Sequence, residues 1–138
     1  MNILTLDYAN KLIVNGIKKA NSDFGLPVSI SICDTNGDLI AFNRMEGAAP
    51  RSSIISQRKA YTAARAGIST KALFARIQQE NLEIGYFCDP LFTAFPGGNL
   101  LKDKNNTVIG SIGISGLAAN DDHLITEFLA ELIKTESL

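Results

Sequence analysis

The segment Phe95–Gly116, FPGGNLLKDKNNTVIGSIGISG, constrains the fold of this chain more than any other stretch. It predicts a proline-diglycine turn, a short strand over Asn99–Lys102, a polar turn, and a strand over Thr107–Ser115 that contains Gly110 and Gly113. Glycine inside a strand weakens it unless another backbone or a ligand must approach closely. We therefore expect one surface of this strand to be kept free of side chains.

A second strand pair is predicted nearer the N-terminus. Val28–Asp34 alternates between apolar residues on one face and serine or cysteine on the other. Asn36-Gly37 is a strong hairpin signal, and Asp38–Arg44 is the returning strand. The first and last predicted strands thus share a pattern of one apolar face and one face of small residues. The small face either receives a helix or floors a pocket, and we favour close helix packing.

Apolar periodicity predicts four helices around these strands. The first runs over residues 6–23 with Thr5 as its cap; the second starts at a Ser52 or Ser53 cap and runs to about Ala66. The third covers Lys71–Asn81 after a Thr70 cap, and Asn120 caps the last. The second helix carries a stripe of small residues, namely Ala60, Ala63, Ala64 and Gly67.

The order of elements is α-β-β-α-α-(β)-β-β-α, where the bracketed strand is a short one expected within residues 84–95. Short hairpins require antiparallel pairing, so the pattern predicts an α+β fold with helices flanking the sheet. A chain of 138 residues is expected to form a single domain over 1–138.

Composition excludes several classes of function. The net charge of −1 gives no basic footprint for nucleic acid or an anionic membrane. No apolar run is long enough to span a bilayer, and no secretory signal is visible, so we expect a cytoplasmic protein. Cys33 and Cys88, the only cysteines, are expected to be buried reduced thiols. No cluster of histidine and cysteine residues has metal-site spacing, so no metal site is assigned.

Five motifs in order resemble the GlcG/HbpS-type family, which also supplies the C-terminal domain of PduO-type corrinoid adenosyltransferases. An acidic pair, Asp121-Asp122, stands where that family opens its last helix. The resemblance covers nearly the whole chain and implies a profilin-like fold, with an antiparallel sheet of about five strands between helices, assembled into homo-oligomers. It also implies a small-molecule ligand, namely haem, a corrinoid or a small organic acid. The motifs are VSISICDTNG (Val28–Gly37), FNRMEGA (Phe42–Ala48), KAYTA (Lys59–Ala63), FPGG (Phe95–Gly98) and VIGSIGISG (Val108–Gly116).

Two cations lie within the matched motifs, Arg44 and Lys59. Either could hold a carboxylate, a propionate or a phosphate, and Arg44 could do so in bidentate fashion. The alternative is a structural ion pair, for instance between Arg44 and Glu46.

The rim of a ligand pocket is predicted at Phe95, Gly97-Gly98 and Ser115-Gly116. Gly97-Gly98 could offer backbone N–H groups to an anion, although a turn alone also explains the two glycines.

His123 is the one histidine and therefore the one imidazole that could ligate a haem iron. It falls near the third residue of a predicted helix, beside Asp121 and Asp122, where we expect an exposed side chain. No axial ligand is therefore assigned. A single histidine in this place also leaves serine and cysteine without a base, so no catalytic residue is assigned.

Three functions stay open at this point. The first is a ligand-binding domain, for haem, another tetrapyrrole or a small organic acid, accessory to glycolate or diol and cobalamin-linked metabolism. The second is a small-molecule enzyme of that metabolism, with Arg44 as carboxylate anchor and Lys59 or an aspartate as base. The third is an assembly module whose motifs build only subunit contacts.

Overall fold

The computed structural model describes residues 4–138, which contain four α-helices and four strands in the order α-β-β-α-α-β-β-α. The helices are α1 (Leu6–Lys19), α2 (Ser52–Ala66), α3 (Thr70–Glu80) and α4 (Ala119–Lys134). The strands are β1 (Ser29–Cys33), β2 (Leu39–Arg44), β3 (Gly98–Lys102) and β4 (Val108–Ser115).

The strands form one antiparallel sheet in the order β2-β1-β4-β3. Each predicted hairpin is present, and the two hairpins meet where β1 pairs with β4. In that central pair Ser31 faces Gly113, and Cys33 faces Ser111. The α+β class and the antiparallel hairpins are confirmed.

The expectation of about five strands is wrong by one, because the described part of the chain holds no strand within residues 84–95. Ile84–Phe87 is a short 3₁₀ turn, and Cys88 follows with a left-handed φ of 59°. Asp89 then accepts a hydrogen bond from the Leu91 backbone N–H at 3.0 Å through its side chain. This local bonding replaces the ladder that a strand would need.

The apolar face of the sheet carries the core. Helices α1 and α4 cover it, and their own apolar side chains are buried against the strands. The fully buried residues of this layer include Leu12, Ile13, Val28, Ile30, Ile32, Ile112, Ile114, Ile125 and Leu129.

The face of small residues receives α2, as predicted. Ser29 and Ser31 of β1 are hydrogen bonded to Ser52 and Ser56 of α2, each at 2.8 Å between hydroxyl oxygens. At Gly113 the approach is so close that a Cβ atom would overlap the Ser56 carbonyl oxygen. Ala60 and Ala63 of the small-residue stripe are buried in this contact and Ala64 is half-buried.

Helix ends match the expectations in part. Thr5 caps α1, accepting from the Tyr8 N–H at 3.1 Å, and after the π-helical turn Ala20–Phe24 the chain leaves at Gly25. The caps expected at Ser52 or Ser53, Thr70 and Asn120 are wrong, because Arg51, Ser69 and Ala118 occupy the N-cap positions.

Two of the expected caps use their hydroxyls elsewhere. Ser52 donates to the Ala49 carbonyl at 2.6 Å, and Thr70 accepts from the Gly98 N–H at 2.8 Å. The second bond ties the start of α3 to the first residue of β3.

The two cysteines differ in environment. Cys33 is buried, as expected, whereas Cys88 is exposed, so the expectation of two buried thiols is wrong for Cys88. Cys88 ends the 3₁₀ turn on the surface instead of packing inward. Within residues 4–138 no helix combines the length and the hydropathy required to cross a membrane.

Candidate functional site

A buried lysine marks the site. Lys59 lies on the face of α2 that packs against the sheet, and its side chain is 2% exposed. Its Nζ atom donates to the Ile114 carbonyl oxygen at 2.8 Å and to Asp122 Oδ2 at 2.9 Å. An ammonium has three N–H donors, so these two bonds leave one N–H for another acceptor.

Asp122, in the first turn of α4, is the partner carboxylate and is also 2% exposed. Its second oxygen, Oδ1, accepts from the Leu117 backbone N–H at 3.0 Å. Burial raises the pKa of Asp122, while Lys59 and the backbone N–H groups of Leu117 and Gly116 act in the opposite direction. Burial lowers the pKa of Lys59, and Asp122 opposes that change.

Glycine makes room for this ion pair. Gly97 has a φ of 127°, which side chains rarely permit, and a Cβ there would lie 2.7 Å from Lys59 Nζ and 2.9 Å from the Asp122 Cβ. A Cβ at Gly98 would overlap the Lys59 carbonyl oxygen. The two glycines of the FPGG motif therefore let the backbone at the start of β3 pass directly over Lys59.

The pair opens onto a small cleft of about 150 Å³ rather than being sealed in the core. The first residues of α2 and α4 contribute to its walls, together with the end of β4 and the ring of Phe95. The Lys59 Nζ atom lies 5.7 Å from the centre of that ring. The cleft is lined by Ala49, Arg51, Ser52, Ile55, Lys59, Phe95, Ser115, Gly116, Leu117, Ala119 and Asp122.

Four of the predicted site residues thus come together: Lys59, Phe95, Ser115 and Gly116. Gly97 and Gly98 are buried behind the cleft. Arg44 does not join them; it is exposed at the end of β2, paired in register with Ser29, and within residues 4–138 it makes no ion pair with Glu46.

Sequence reasoning missed Arg51 and Ser52, and it did not join Asp122 to Lys59. The separation of 63 positions hides the ion pair from any local pattern. The sequence did contain one signal for this ion pair. Asp121-Asp122 follows the Ser115-Gly116 end of the last strand, and a carboxylate there is a partner for a lysine on the helix that packs against the same strand.

A second concavity, the apolar groove, lies on the other side of Phe95 and has a volume of about 780 Å³. It runs between α3, the segment 92–96 and the start of α4, and its surface is mostly apolar. The lining residues are Lys71, Phe74, Ala75, Gln78, Ile84, Phe92, Thr93, Ala94, Phe95, Pro96, Ala118, Ala119 and Asn120. Phe95 and Ala119 line both the cleft and the apolar groove.

His123 is buried, so the prediction of an exposed histidine is wrong. The reason is that α4 packs against β3 as well as the core, so its buried face extends beyond its apolar stripe. The His123 Nε2 atom lies 3.5 Å from Glu127 Oε1, and Nδ1 has no hydrogen-bond partner within residues 4–138. Burial lowers the pKa of His123 and Lys71 adds to that effect, whereas Glu127 opposes it.

Comparison with known proteins gives the family. The model of the family described as haem degrading protein HbpS-like matches residues 4–130. The chain belongs to the HbpS-like family. A curated relative, the GlcG protein of Escherichia coli strain K12, is 33% identical to this HbpS-like chain over 113 residues, which cover 82% of the chain and 81% of that protein.

Solved structures agree with the observed fold of this HbpS-like chain. A double mutant of Streptomyces reticuli HbpS superposes with a TM-score of 0.84 at 27% identity, covering 96% of this chain and 88% of that one. The PduOC structure, solved as a haem complex, superposes with a TM-score of 0.83 and covers 96% of each chain. Its identity of 24% supports the fold alone.

Proposed function

We propose that this HbpS-like protein is a ligand-binding domain that takes a tetrapyrrole of the haem type in the apolar groove. The observation that carries the proposal is the groove itself. Its volume of about 780 Å³ lies within the roughly 300–1,000 Å³ typical of small-molecule sites. Its lining combines several aromatic and aliphatic side chains with few polar groups, which is the usual composition of such sites.

The aromatic rings of the groove fit a flat apolar ligand. Phe74 is 41% exposed and Phe95 57% exposed, and both line the groove together with the half-buried Phe92. Large apolar side chains left open to water in one concavity mark a binding surface. A macrocycle bound there would remove apolar surface from water, and each Å² of buried apolar surface contributes about 25 cal/mol to the free energy of binding.

The rim of the groove offers a cation for a carboxylate. Lys71 is exposed on α3 and lines the groove, as does Asn120 near the start of α4. We assign Lys71 to the propionate groups of the ligand, because an ammonium beside an apolar surface pairs with a carboxylate while the rest of the ligand is buried. Neither Arg44 nor Lys59, the two cations predicted from the sequence to contact a ligand anion, lines the apolar groove.

The residues of the groove do not fit axial ligation of iron. The common protein ligands of haem iron are histidine, cysteine, methionine and tyrosine. None of these four types occurs among the described residues that line the groove. Bound haem would supply an iron centre, whereas this chain supplies apolar surface, the aromatic rings and one cation. The groove is therefore expected to select the macrocycle more than the metal.

The family comparison supports the proposal, because the description of the matching family names haem degradation. HbpS itself superposes on this chain with a TM-score of 0.84 at 27% identity.

The test is a titration of the purified protein with haemin, with protoporphyrin IX and hydroxocobalamin as comparison ligands. We expect a saturable Soret change near one haemin per chain. Protoporphyrin IX, which lacks iron, should bind with an affinity within about tenfold, a difference of about 1.4 kcal/mol. A linear, non-saturating response to haemin would contradict the proposal. Light scattering on the same samples measures the oligomeric state, which we expect to be a homo-oligomer. If haemin binding is lost when the subunits assemble, the groove is part of a subunit interface.

A second candidate is a small-molecule enzyme that uses Lys59 as base. The observation in its favour is the ion pair in the cleft, because burial displaces the pKa values of Lys59 and Asp122 in opposite directions. Such pairs in clefts occur at catalytic sites as well as in structural networks. Turnover of a 2-hydroxy acid, an aldehyde or a diol that is lost in a folded Lys59→Met variant would support it; no turnover by the wild type would exclude it for that panel.

A further inference from the structure

We propose that the cleft at the Lys59–Asp122 pair is a binding site for a small carboxylate, separate from the apolar groove. The cleft has three features of an anion site, namely an excess of positive charge, unused hydrogen-bond donors and a volume that suits a short acid. Each feature rests on a different part of the structure.

The charge of the cleft is positive. Lys59 and Arg51 each contribute one positive charge, and Asp122 contributes one negative charge, which leaves an excess of one. Arg51 is exposed and makes no ion pair within residues 4–138. The N-terminal residues of two helices, Ser52 of α2 and Ala119 of α4, also line the cleft and add the partial positive charge of their helix ends.

Two nearly buried side chains in the cleft, Lys59 and Ser115, each keep a hydrogen-bond donor without an acceptor among the described residues. The first is the third N–H of Lys59, since its other two are bonded to Ile114 and Asp122. The second is the hydroxyl of Ser115, which lines the cleft, is 7% exposed and makes no side-chain hydrogen bond among the described residues. Among the described residues the Ser115 oxygen is not one of the fully buried side-chain atoms without a partner, so it is open to the cleft and its O–H can donate to a ligand acceptor. Ser115 is thus the observation that points to a ligand rather than to a structural pair.

The volume sets the size of the ligand. The cleft volume of about 150 Å³ is about half the lower end of the roughly 300–1,000 Å³ typical of sites for drug-sized ligands, so the ligand must be much smaller than those molecules. A carboxylic acid of two to four carbon atoms fits this space, with its carboxylate toward Lys59 and Ser115 and its carbon atoms against Phe95 and Ile55. The same cleft is too small for a tetrapyrrole, so the two sites take different ligands.

The experiment is a titration of ¹⁵N-labelled full-length protein with acetate, propionate and pyruvate, followed by backbone NMR shifts. Acetamide serves as the neutral isostere of acetate. We expect saturable shifts at Ser115, Gly116 and Leu117, with a Kd in the millimolar range because so few atoms make contact. Acetamide should produce no saturable shift.

Two variants localise the binding. Ser115→Ala should weaken binding about three- to tenfold, the effect of one hydrogen bond. Arg51→Gln, an exposed substitution, should weaken binding about two- to fivefold through loss of one charge at the cleft mouth. The matched control is Arg58→Gln, on α2 but outside the cleft lining, which should change nothing.

Equal affinity of wild type, Ser115→Ala and Arg51→Gln would overturn the proposal, as would equal binding of acetate and acetamide. Shifts confined to scattered surface lysines, or no saturation up to roughly 100 mM ligand, would overturn it as well. The haemin titration uses the other side of Phe95, so failure here leaves that proposal standing.

Discussion

Lys59 Nζ donates to Asp122 Oδ2 at 2.9 Å in a pair whose two side chains are each 2% exposed. One partner sits in the middle of α2 and the other in the first turn of α4, so the pair joins the two sides of the sheet at the end of β4. Removal of one partner from a buried ion pair leaves an uncompensated charge in the interior.

Asp122→Asn is therefore expected to lower the free energy of unfolding by about 3–5 kcal/mol. Urea denaturation of wild type and variant measures the difference. The control is Asp23→Asn, which removes the partner of Lys19 in a partly exposed pair at 2.8 Å and should lower the free energy of unfolding far less than Asp122→Asn does. If the two variants lose similar amounts of unfolding free energy, the buried ion pair contributes no more to stability than the partly exposed one.

Acid is expected to destabilise the protein through His123. Its folded-state pKa is lowered below the ordinary 6.5, chiefly by burial. Between the folded pKa and 6.5 the unfolded chain binds more protons, so stability falls as pH drops through this window and is fully recovered above it. Lys71 strengthens this effect and Glu127 opposes it. The free energy of unfolding should decline less between about pH 7 and pH 5 in His123→Gln than in wild type; an unchanged slope would contradict this account.

One thiol per chain should react rapidly with Ellman's reagent at pH 8. Cys88 is exposed, whereas Cys33 is buried and its pKa is raised to about 12 by burial. The thiolate is the reactive form, so Cys33 stays unreactive in the folded protein. Cys88→Ser should abolish the fast phase and leave only reaction on unfolding. Two fast thiols in the wild type would show that β1 opens readily.

Gly113→Ala is expected to separate α2 from the sheet and to destabilise the protein by about 1–3 kcal/mol, the usual cost of overpacking. The added Cβ would overlap the Ser56 carbonyl oxygen, a backbone atom that cannot move by itself. Gly85→Ala is the control, because a Cβ there meets nothing within 4 Å. Thermal unfolding of the two variants measures the difference in stability. Equal melting temperatures would mean that α2 moves away from the sheet without loss of stability, which would contradict the expectation.

The hairpins and the small-residue face could be predicted because they depend on local patterns. Alternation along Val28–Asp34 and the paired glycines of β4 assign each side chain to a face without knowledge of the rest of the fold. The close approach of α2 follows from the same information, since serine and glycine on the strands and serine and alanine on α2 allow it. The family motifs add the order of the elements.

The site was less predictable because it depends on contacts between distant segments. Lysine is almost never fully buried unless paired, and the partner of Lys59 lies 63 positions away. His123 was expected to be exposed because acids flank it, but the buried face of α4 is set by its contact with β3. The expected fifth strand failed for a similar reason, since Asp89 bonds locally rather than leaving the backbone free to pair.

The measurement that tests the central claim most directly is haemin titration of Phe74→Ser beside Tyr86→Ser. Phe74 lines the apolar groove, whereas Tyr86 is an exposed aromatic that does not. We expect Phe74→Ser to weaken haemin binding about tenfold or more, as loss of an aromatic contact of about 1.5–3 kcal/mol implies, and Tyr86→Ser to bind as the wild type does. Equal haemin affinity in both variants and the wild type would contradict the assignment of the groove as the tetrapyrrole site.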